Sequence, residues 1–450
     1  MKKFTLMLVI FLFSFSWLAR AEDLPQPPDS PIKATLLAEI TEKGQKINAV
    51  ALEYEDNILS GMNLDAVYQI ETSLDNQSLR ARNILRAYVN DKPETTFQPK
   101  PGKFVIIELN KNDHNAIPYD LRKENTKPLL FRSKDENGRL IDIEKLQVTS
   151  VPDFYNDRLV YYIKQNGLLK LTNGKTLEQS QVMLTAEIGK IKTPYLDRFM
   201  AKSVMLQEPK NKLNYQLYSP IAQEGKKYPL TVFLHGSGQV GSDNLAHLLS
   251  SKGAVATLLY EDGFVLAPQY DSIFDPFDDI KKGSRGGIHW QTDNRINLVL
   301  KMIDETIAEN PMIDSKRIYV TGLSRGAEGG LNLLLKRPNF FAGALLMSGR
   351  EAYTLEWVDG NANKDNLAVL KHMSIWFFHS KEDKVSPVRG SRINYQILHQ
   401  ELKAPNVKYT EFTTLQAGDN GIVNNNPHNT WDAVFNSPEV IQWLLMQKSK

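Results

Sequence analysis

The stretch Ile318-Tyr319-Val320-Thr321-Gly322-Leu323-Ser324-Arg325-Gly326 constrains this chain more than any other. An apolar run rich in strand-forming residues ends on a serine with a glycine two positions to either side, and Leu331, Leu334 and Leu335 follow at helical spacing. This pattern predicts a strand that turns sharply into a helix. The serine sits on the turn in a strained backbone conformation, where side chains at the flanking positions would collide with the strand and helix. Gly329 and Gly330 then allow the helix to pack closely. A serine lying by chance between glycines in a loop needs neither the strand before nor the helix after. Ser324 is therefore the candidate nucleophile.

A serine hydroxyl is a poor nucleophile at neutral pH and needs a base. Where the nucleophile stands on a strand-to-helix elbow, the acid and then the histidine follow it in the chain. Four histidines do so. His372 precedes the apolar run Ile375 to Phe378 and would face the wrong end of a sheet. His399 falls within a predicted helix, Ser391 to Leu402. His379 ends the strand itself and is expected to shape the loop after it. His428 lies in the polar loop Asn424-Asn425-Asn426-Pro427-His428-Asn429, from which an imidazole can reach back to Ser324, and is the candidate base. Two carboxylates, Glu382 and Asp383, compete on the loop after Ile375 to Phe378. Asp383 is preferred as the group that orients the histidine, with Glu382 an exposed neighbour. Backbone N–H groups must also meet the developing oxyanion. The amide of Arg325, directly after the nucleophile, is one candidate. The other is the amide of Ser237 in His235-Gly236-Ser237-Gly238, with Gly238 as substitute, because glycines around Ser237 let that backbone approach a ligand. His235 precedes the nucleophile and is expected to be structural. Trp290, in Gly286-Gly287-Ile288-His289-Trp290, is a candidate for lining a substrate pocket, with a core position the alternative.

The surrounding sequence divides in two. With 450 residues the chain suits two or three domains. From about 33 to 190, short runs rich in Val, Ile, Leu and aromatics (Ile47 to Leu52, Asn83 to Val89, Phe104 to Leu109, Leu159 to Ile163, Val182 to Ile188) predict a β-sandwich of seven or eight strands. Asn137-Gly138, Asn166-Gly167 and Asn173-Gly174 predict tight hairpin turns with positive φ at both central positions. From about 196 to the end, continuous apolar strands (Leu230 to Leu234, Phe264 to Ala267, Ile318 to Thr321, Ala344 to Met347, Ile375 to Phe378) alternate with helical segments. One of these carries Ile296, Val299, Leu300, Ile303 and Ile307 on a single face and ends before Pro311. That alternation predicts a mostly parallel sheet flanked by helices.

The first residues are expected to be removed. Lys2 and Lys3, the apolar run Phe4 to Leu18 and Ala19-Arg20-Ala21 predict a signal peptide at 1–21, followed by a proline-rich leader at 22–32. About 15 apolar residues fall short of the roughly 20 that span a bilayer, so no stable membrane anchor is expected, and the protein is expected in the periplasm or outside the cell. The absence of cysteine excludes disulfides, thiol catalysis and thiolate metal sites. A net charge of +2 with scattered basic residues gives no footprint for nucleic acid.

The chain also resembles a known group. Tyr228-Pro229-Leu230-Thr231-Val232-Phe233-Leu234-His235-Gly236 with Gly241-Ser242-Asp243-Asn244 is similar to bacterial two-domain α/β-hydrolase esterases with an N-terminal immunoglobulin-like domain. Members are often labelled predicted peptidases and are similar to feruloyl esterases, acetyl xylan esterases and polyhydroxybutyrate depolymerases. Phe264 to Gln269, Arg317 to Ser324, His428 to Trp431 and Trp443-Leu444-Leu445 carry the resemblance to the end of the chain, and Ile47 to Tyr54 and Arg82 to Asn90 extend it more loosely upstream. It implies an α/β hydrolase preceded by an all-β immunoglobulin-like sandwich, acting on short acyl or aryl esters, free or attached to a polysaccharide, with neither metal nor cofactor. Two departures stand out. Many relatives carry Met-Gly-Gly after the nucleophile where this chain has Arg325-Gly326-Ala327, which puts a charge near the pocket. The Asn- and Gly-rich segment Gln416 to Pro427 is longer than usual. Two other readings use the same residues: a serine peptidase of the same fold, and a carbohydrate- or surface-binding protein whose hydrolase domain is vestigial.

Overall fold

The computed structural model describes residues 32–59, 61–124, 127–278, 286–413 and 427–450. The expected signal peptide, the leader up to residue 31, and nearly all of the Gln416 to Pro427 segment lie outside them. The N-terminal strands form two sheets. One has five strands in the order Ile191–Lys192, Lys33–Thr41, Gly44–Glu53, Phe104–Leu109, Ile84–Asn90, and the other has four in the order Ser180–Ala186, Asn156–Gln165, Tyr68–Leu74, Arg80–Arg82. Alternate residues of both sheets, among them Leu36, Val50, Leu52, Ile70, Val105, Ile107, Tyr161 and Ile163, close a common core. The strand Ile191–Lys192 pairs with Lys33–Thr41, so the first sheet extends slightly past the expected boundary at 190.

The hairpin turns differ from expectation. Positive φ occurs at Gly138 and Gly174 but not at Asn137, Asn173 or Gly167. The Asp135 amide donates to the Arg139 carbonyl and the Gly138 amide to the Asp135 carbonyl, and Leu171, Gly174 and Lys175 repeat the arrangement. These are longer turns that need one left-handed residue rather than two. The Asp135 carboxylate, which accepts from the Asn137 and Arg139 amides, favours the longer loop. Asn166-Gly167 joins Asn156–Gln165 to Leu169–Lys170, which are not paired with each other.

From Phe199 onward the chain builds an eight-stranded sheet in the order Phe199–Met205, Lys212–Tyr218, Phe264–Gln269, Tyr228–Leu234, Ile313–Leu323, Gly343–Met347, Ile375–Ser380, Val407–Phe412. The first two strands join antiparallel and all later neighbours are parallel. Tyr228–Leu234, Phe264–Gln269 and Gly343–Met347 are buried along their whole length, which explains why their sequences read as continuous apolar runs instead of alternating. The helices Asp293–Glu309 and Arg325–Lys336 pack one face of the sheet, and Trp431–Phe435 and Pro438–Leu445 pack the other.

Two hairpins of the N-terminal half leave the sandwich and lie on the second sheet's domain. In one, Tyr119–Glu124 pairs with Thr149–Phe154, and the latter strand contacts the Ser237–Gln239 turn. The other joins Pro128–Lys134 to Leu140–Leu146. Its Phe131 is buried in the core of the C-terminal domain and stacks on Phe274. Its Arg132 pairs with Glu356 through both the guanidinium and the backbone amide. Short apolar runs cannot distinguish a strand that completes its own sandwich from one that docks elsewhere.

Candidate active site

The strand Ile313–Leu323 delivers the chain to Ser324, and the helix Arg325–Lys336 starts immediately after it. Ser324 holds φ 53° and ψ −118°, a conformation that L-residues rarely adopt. Its amide donates to the Met347 carbonyl at 2.8 Å, which ties the strained turn to the neighbouring strand. The flanking glycines are sterically required. A Cβ on Gly326 would lie 1.9 Å from the Leu234 carbonyl oxygen, and one on Gly322 would lie 2.2 Å from the Gly326 carbonyl oxygen. Gly326→Ala is therefore expected to destabilise the fold by about 3 kcal/mol, because backbone rather than a movable side chain stands in the way. Chemical denaturation measures this, and a midpoint matching wild type would show that the elbow can relax.

Ser324 Oγ lies 3.0 Å from His428 Nε2, and His428 Nδ1 lies 2.8 Å from Asp383 Oδ2. The structure thus brings together the three side chains singled out in the sequence. Glu382 is exposed, as are His372 and His399. His428 is set by Ser348, at the end of Gly343–Met347, whose hydroxyl donates to the His428 carbonyl at 2.7 Å and meets Thr430 Oγ1 at 2.9 Å. Trp431 packs edge-on against the imidazole.

Asp383 is buried. Burial alone would raise its pKa, but hydrogen bonds from His379 and His428 outweigh this and hold the carboxyl well below the usual range. Its Oδ1 also accepts from the amides of Val385 and Ser386 at 2.8 and 2.9 Å. His379 was expected only to shape this loop, and it does more. Its Nε2 faces two acceptors, Asp383 Oδ2 at 3.1 Å and the Ser386 carbonyl at 2.9 Å, so that nitrogen carries the proton, and Nδ1 accepts from the Ser391 hydroxyl at 2.8 Å. The signal for this role was the spacing of four between His379 and Asp383, but a histidine at a strand end is compatible with many partners. His379→Phe keeps a ring and removes the hydrogen bonds. It is expected to lower kcat by roughly 10- to 100-fold, the value of a hydrogen bond to a charged group. A pH–rate profile with circular dichroism as the folding control checks it.

On the other side of Ser324, Gly236 sits against the elbow: a Cβ there would lie 2.8 Å from Leu323 Cδ1 and 3.3 Å from Ser324 Cβ. Ser237 and Arg325 are each the first residue of a helical turn, where the amide has no carbonyl partner within the helix. Gln239 braces the loop by accepting from the Gly236 amide at 2.9 Å. Gly238 is exposed at the rim, with open space around it. His235 is fully buried, and burial together with the neighbouring His247 pushes its pKa down to about 3, so it is a neutral structural residue. Trp290 is likewise fully buried and does not line a pocket. Its Nε1 donates to the His235 carbonyl at 3.0 Å and its ring packs edge-on against Tyr270, so it supports the Ser237 loop from beneath. Among the described residues no cluster of three or more His, Asp or Glu is arranged to hold a metal, and no helix is long and apolar enough to cross a membrane.

Comparison with known proteins agrees with this architecture. Residues 33–178 match the esterase Ig-like N-terminal domain, and residues 277–418 match the phospholipase/carboxylesterase family. A solved thermostable esterase is 24% identical over 92% of this chain and 99% of its own, with a TM-score of 0.67, so the likeness in fold spans both domains. A CE1 ferulic acid esterase from Anaeromyces mucronatus is 15% identical over 56% of this chain and 90% of its own, with a TM-score of 0.38. No curated protein matches significantly. The chain thus joins a region that matches the esterase Ig-like N-terminal domain to an α/β-hydrolase fold in which residues 277–418 match the phospholipase/carboxylesterase family, a pairing that supports a carboxylic ester hydrolase.

Proposed function

We propose that the chain hydrolyses short acyl or aryl esters through an acyl-enzyme on Ser324, with His428 as base and Asp383 as the orienting acid. The observation that carries this reading is the continuous hydrogen-bonded line from Ser324 Oγ through His428 to Asp383, at 3.0 and 2.8 Å. The ionised Asp383 accepts from Nδ1 of His428, which leaves the Nε2 lone pair facing the hydroxyl. His428 takes the Ser324 proton as Oγ attacks the ester carbonyl and returns it to the leaving alkoxide. Water then repeats the sequence on the acyl-enzyme. The amides of Ser237 and Arg325 receive the oxyanion of each tetrahedral intermediate. The test is hydrolysis of p-nitrophenyl acetate together with labelling by a fluorophosphonate. One adduct per chain, located on Ser324 by peptide mass mapping, is expected. An adduct elsewhere, or none in a protein that turns over the ester, would overturn the assignment.

A further inference from the structure

A partly buried cluster that begins at Arg325, the residue after Ser324, carries an excess of positive charge. Three cations surround one indole, that of Trp357: the Arg325 guanidinium carbon is 4.5 Å from the ring centroid, that of Arg350 is 4.3 Å away, and Lys145 Nζ is 3.5 Å away. Among the described residues only Glu328 faces them at ion-pair distance. It takes Arg325 Nη1 at 2.9 Å and Arg350 Nε at 3.6 Å, while Gln291 donates to it at 2.8 Å. Glu356 is committed to Arg132. Arg325 Nη1 and Arg350 Nη2 also reach backbone carbonyls, of Glu356 and Val385 respectively. Burial and the Arg325 charge push the Arg350 pKa down to about 10, and burial with both arginines lowers that of Lys145. Two donors remain buried without an acceptor among the described residues: Arg325 Nη2, on a side chain only 5% exposed, and Trp357 Nε1. Orphaned buried donors are costly, and a guanidinium nitrogen more so than most. Both stand on residues in ring contact, and one of those residues directly follows the nucleophile.

We infer that Arg325, Trp357, Arg350 and Lys145 form an anion subsite that selects esters carrying a carboxylate near the scissile bond. The inference rests on the ester-hydrolase reading of Ser324. A substrate carboxylate supplies acceptors for Arg325 Nη2 and Trp357 Nε1 and balances charge that Glu328, with the more distant Asp359 and Asp383 beside Arg350, leaves in excess. Lys145 comes from the hairpin strand Leu140–Leu146, so the N-terminal half of the chain contributes a specificity-determining residue to a site whose nucleophile lies in the other domain.

The test compares two matched ester pairs: the mono-4-nitrophenyl ester of adipic acid against 4-nitrophenyl hexanoate, with the charge on the acyl side, and 4-carboxyphenyl acetate against 4-acetylphenyl acetate, with the charge on the leaving side. The readout is the anionic-to-neutral ratio of kcat/KM within each protein. In at least one pair the wild type is expected to favour the anionic ester by about tenfold or more, mainly through KM, as a hydrogen bond to a charged group implies. Arg325→Met should bring that ratio to near one, and Lys145→Met and Arg350→Met should each lower it. The two single variants decide the question if Arg325→Met does not fold. Ratios near one for both pairs in wild type, or ratios that the variants leave unchanged, overturn the subsite while leaving the esterase reading intact. If no ester is turned over, that reading fails separately. Titration of the protein with glutarate at low salt then reads the subsite: a saturable change in tryptophan emission that Trp357→Phe abolishes supports it, and no saturable change overturns it.

Discussion

Ser324→Ala is expected to lower kcat for p-nitrophenyl acetate by roughly a millionfold, with His428→Ala close behind and the double variant no worse than either alone. The size follows from what is removed. In the proposed mechanism no acyl-enzyme forms without Oγ, and the remaining site can only bind the ester and polarise its carbonyl toward the amides of Ser237 and Arg325. The lack of additivity follows from the geometry: Oγ and Nε2 meet at 3.0 Å and move one proton between them, so losing either disables the same step. The substitution should hardly disturb folding, because the strain at φ 53° belongs to the backbone and the Ser324 amide still donates to Met347. Steady-state and burst kinetics on variants with matching circular dichroism make the comparison. A loss smaller than roughly a hundredfold, far below the cost of removing a covalent nucleophile, would place the nucleophile elsewhere.

Ser324 was legible because its constraint is local. Strand, strained serine, helix and two obligatory glycines occupy nine consecutive residues, and the contacts of Gly322 and Gly326 show why no side chain fits there. His428 and Asp383 were legible because strand order fixes where in the chain they must come, and elimination among few candidates then sufficed. The parts that were not legible depend on contacts across the fold. His379 shares Asp383 with His428, and Ser348 holds the His428 carbonyl from a different strand. Neither residue type at a strand end announces such a partner. Trp290 was open between pocket and core because an aromatic near an active-site loop suits both, and only the packing of Tyr270 and the His235 carbonyl around it decided for the core. The docking of the hairpin formed by Pro128–Lys134 and Leu140–Leu146 was hidden for the same reason. Phe131 reads as one more strand residue until Phe274 and Trp357 are seen against it. Arg325 was recognised as a charge near the pocket, and Glu328 follows one turn along the same helix, but Trp357, Arg350 and Lys145 come from other segments.

Asp383→Asn is expected to lower kcat by on the order of ten-thousandfold although it changes a single atom, since such a substitution leaves the geometry intact and presents the wrong histidine tautomer. The four donors around the carboxylate determine how asparagine must sit. The amides of Val385 and Ser386 point at Oδ1 and are fixed by the loop, so the amide oxygen must take that place. The NH2 group then occupies the position of Oδ2, between His379 Nε2 and His428 Nδ1. His379 keeps its Nε2 proton because the Ser386 carbonyl still accepts it. At His428 Nδ1 the asparagine NH2 donates where the carboxylate accepted, which moves the imidazole proton to Nε2. A protonated Nε2 faces Ser324 Oγ as a donor and cannot take its proton. Glu382→Gln, on the exposed neighbour, keeps an oxygen that can accept from the Ser380 hydroxyl and should stay within about twofold of wild type. Measuring kcat for both variants on one ester separates the adjacent carboxylates. If Glu382→Gln fell by orders of magnitude while Asp383→Asn kept most of its activity, the orienting role would belong to Glu382, and the hydrogen bonds around Asp383 would serve only the loop.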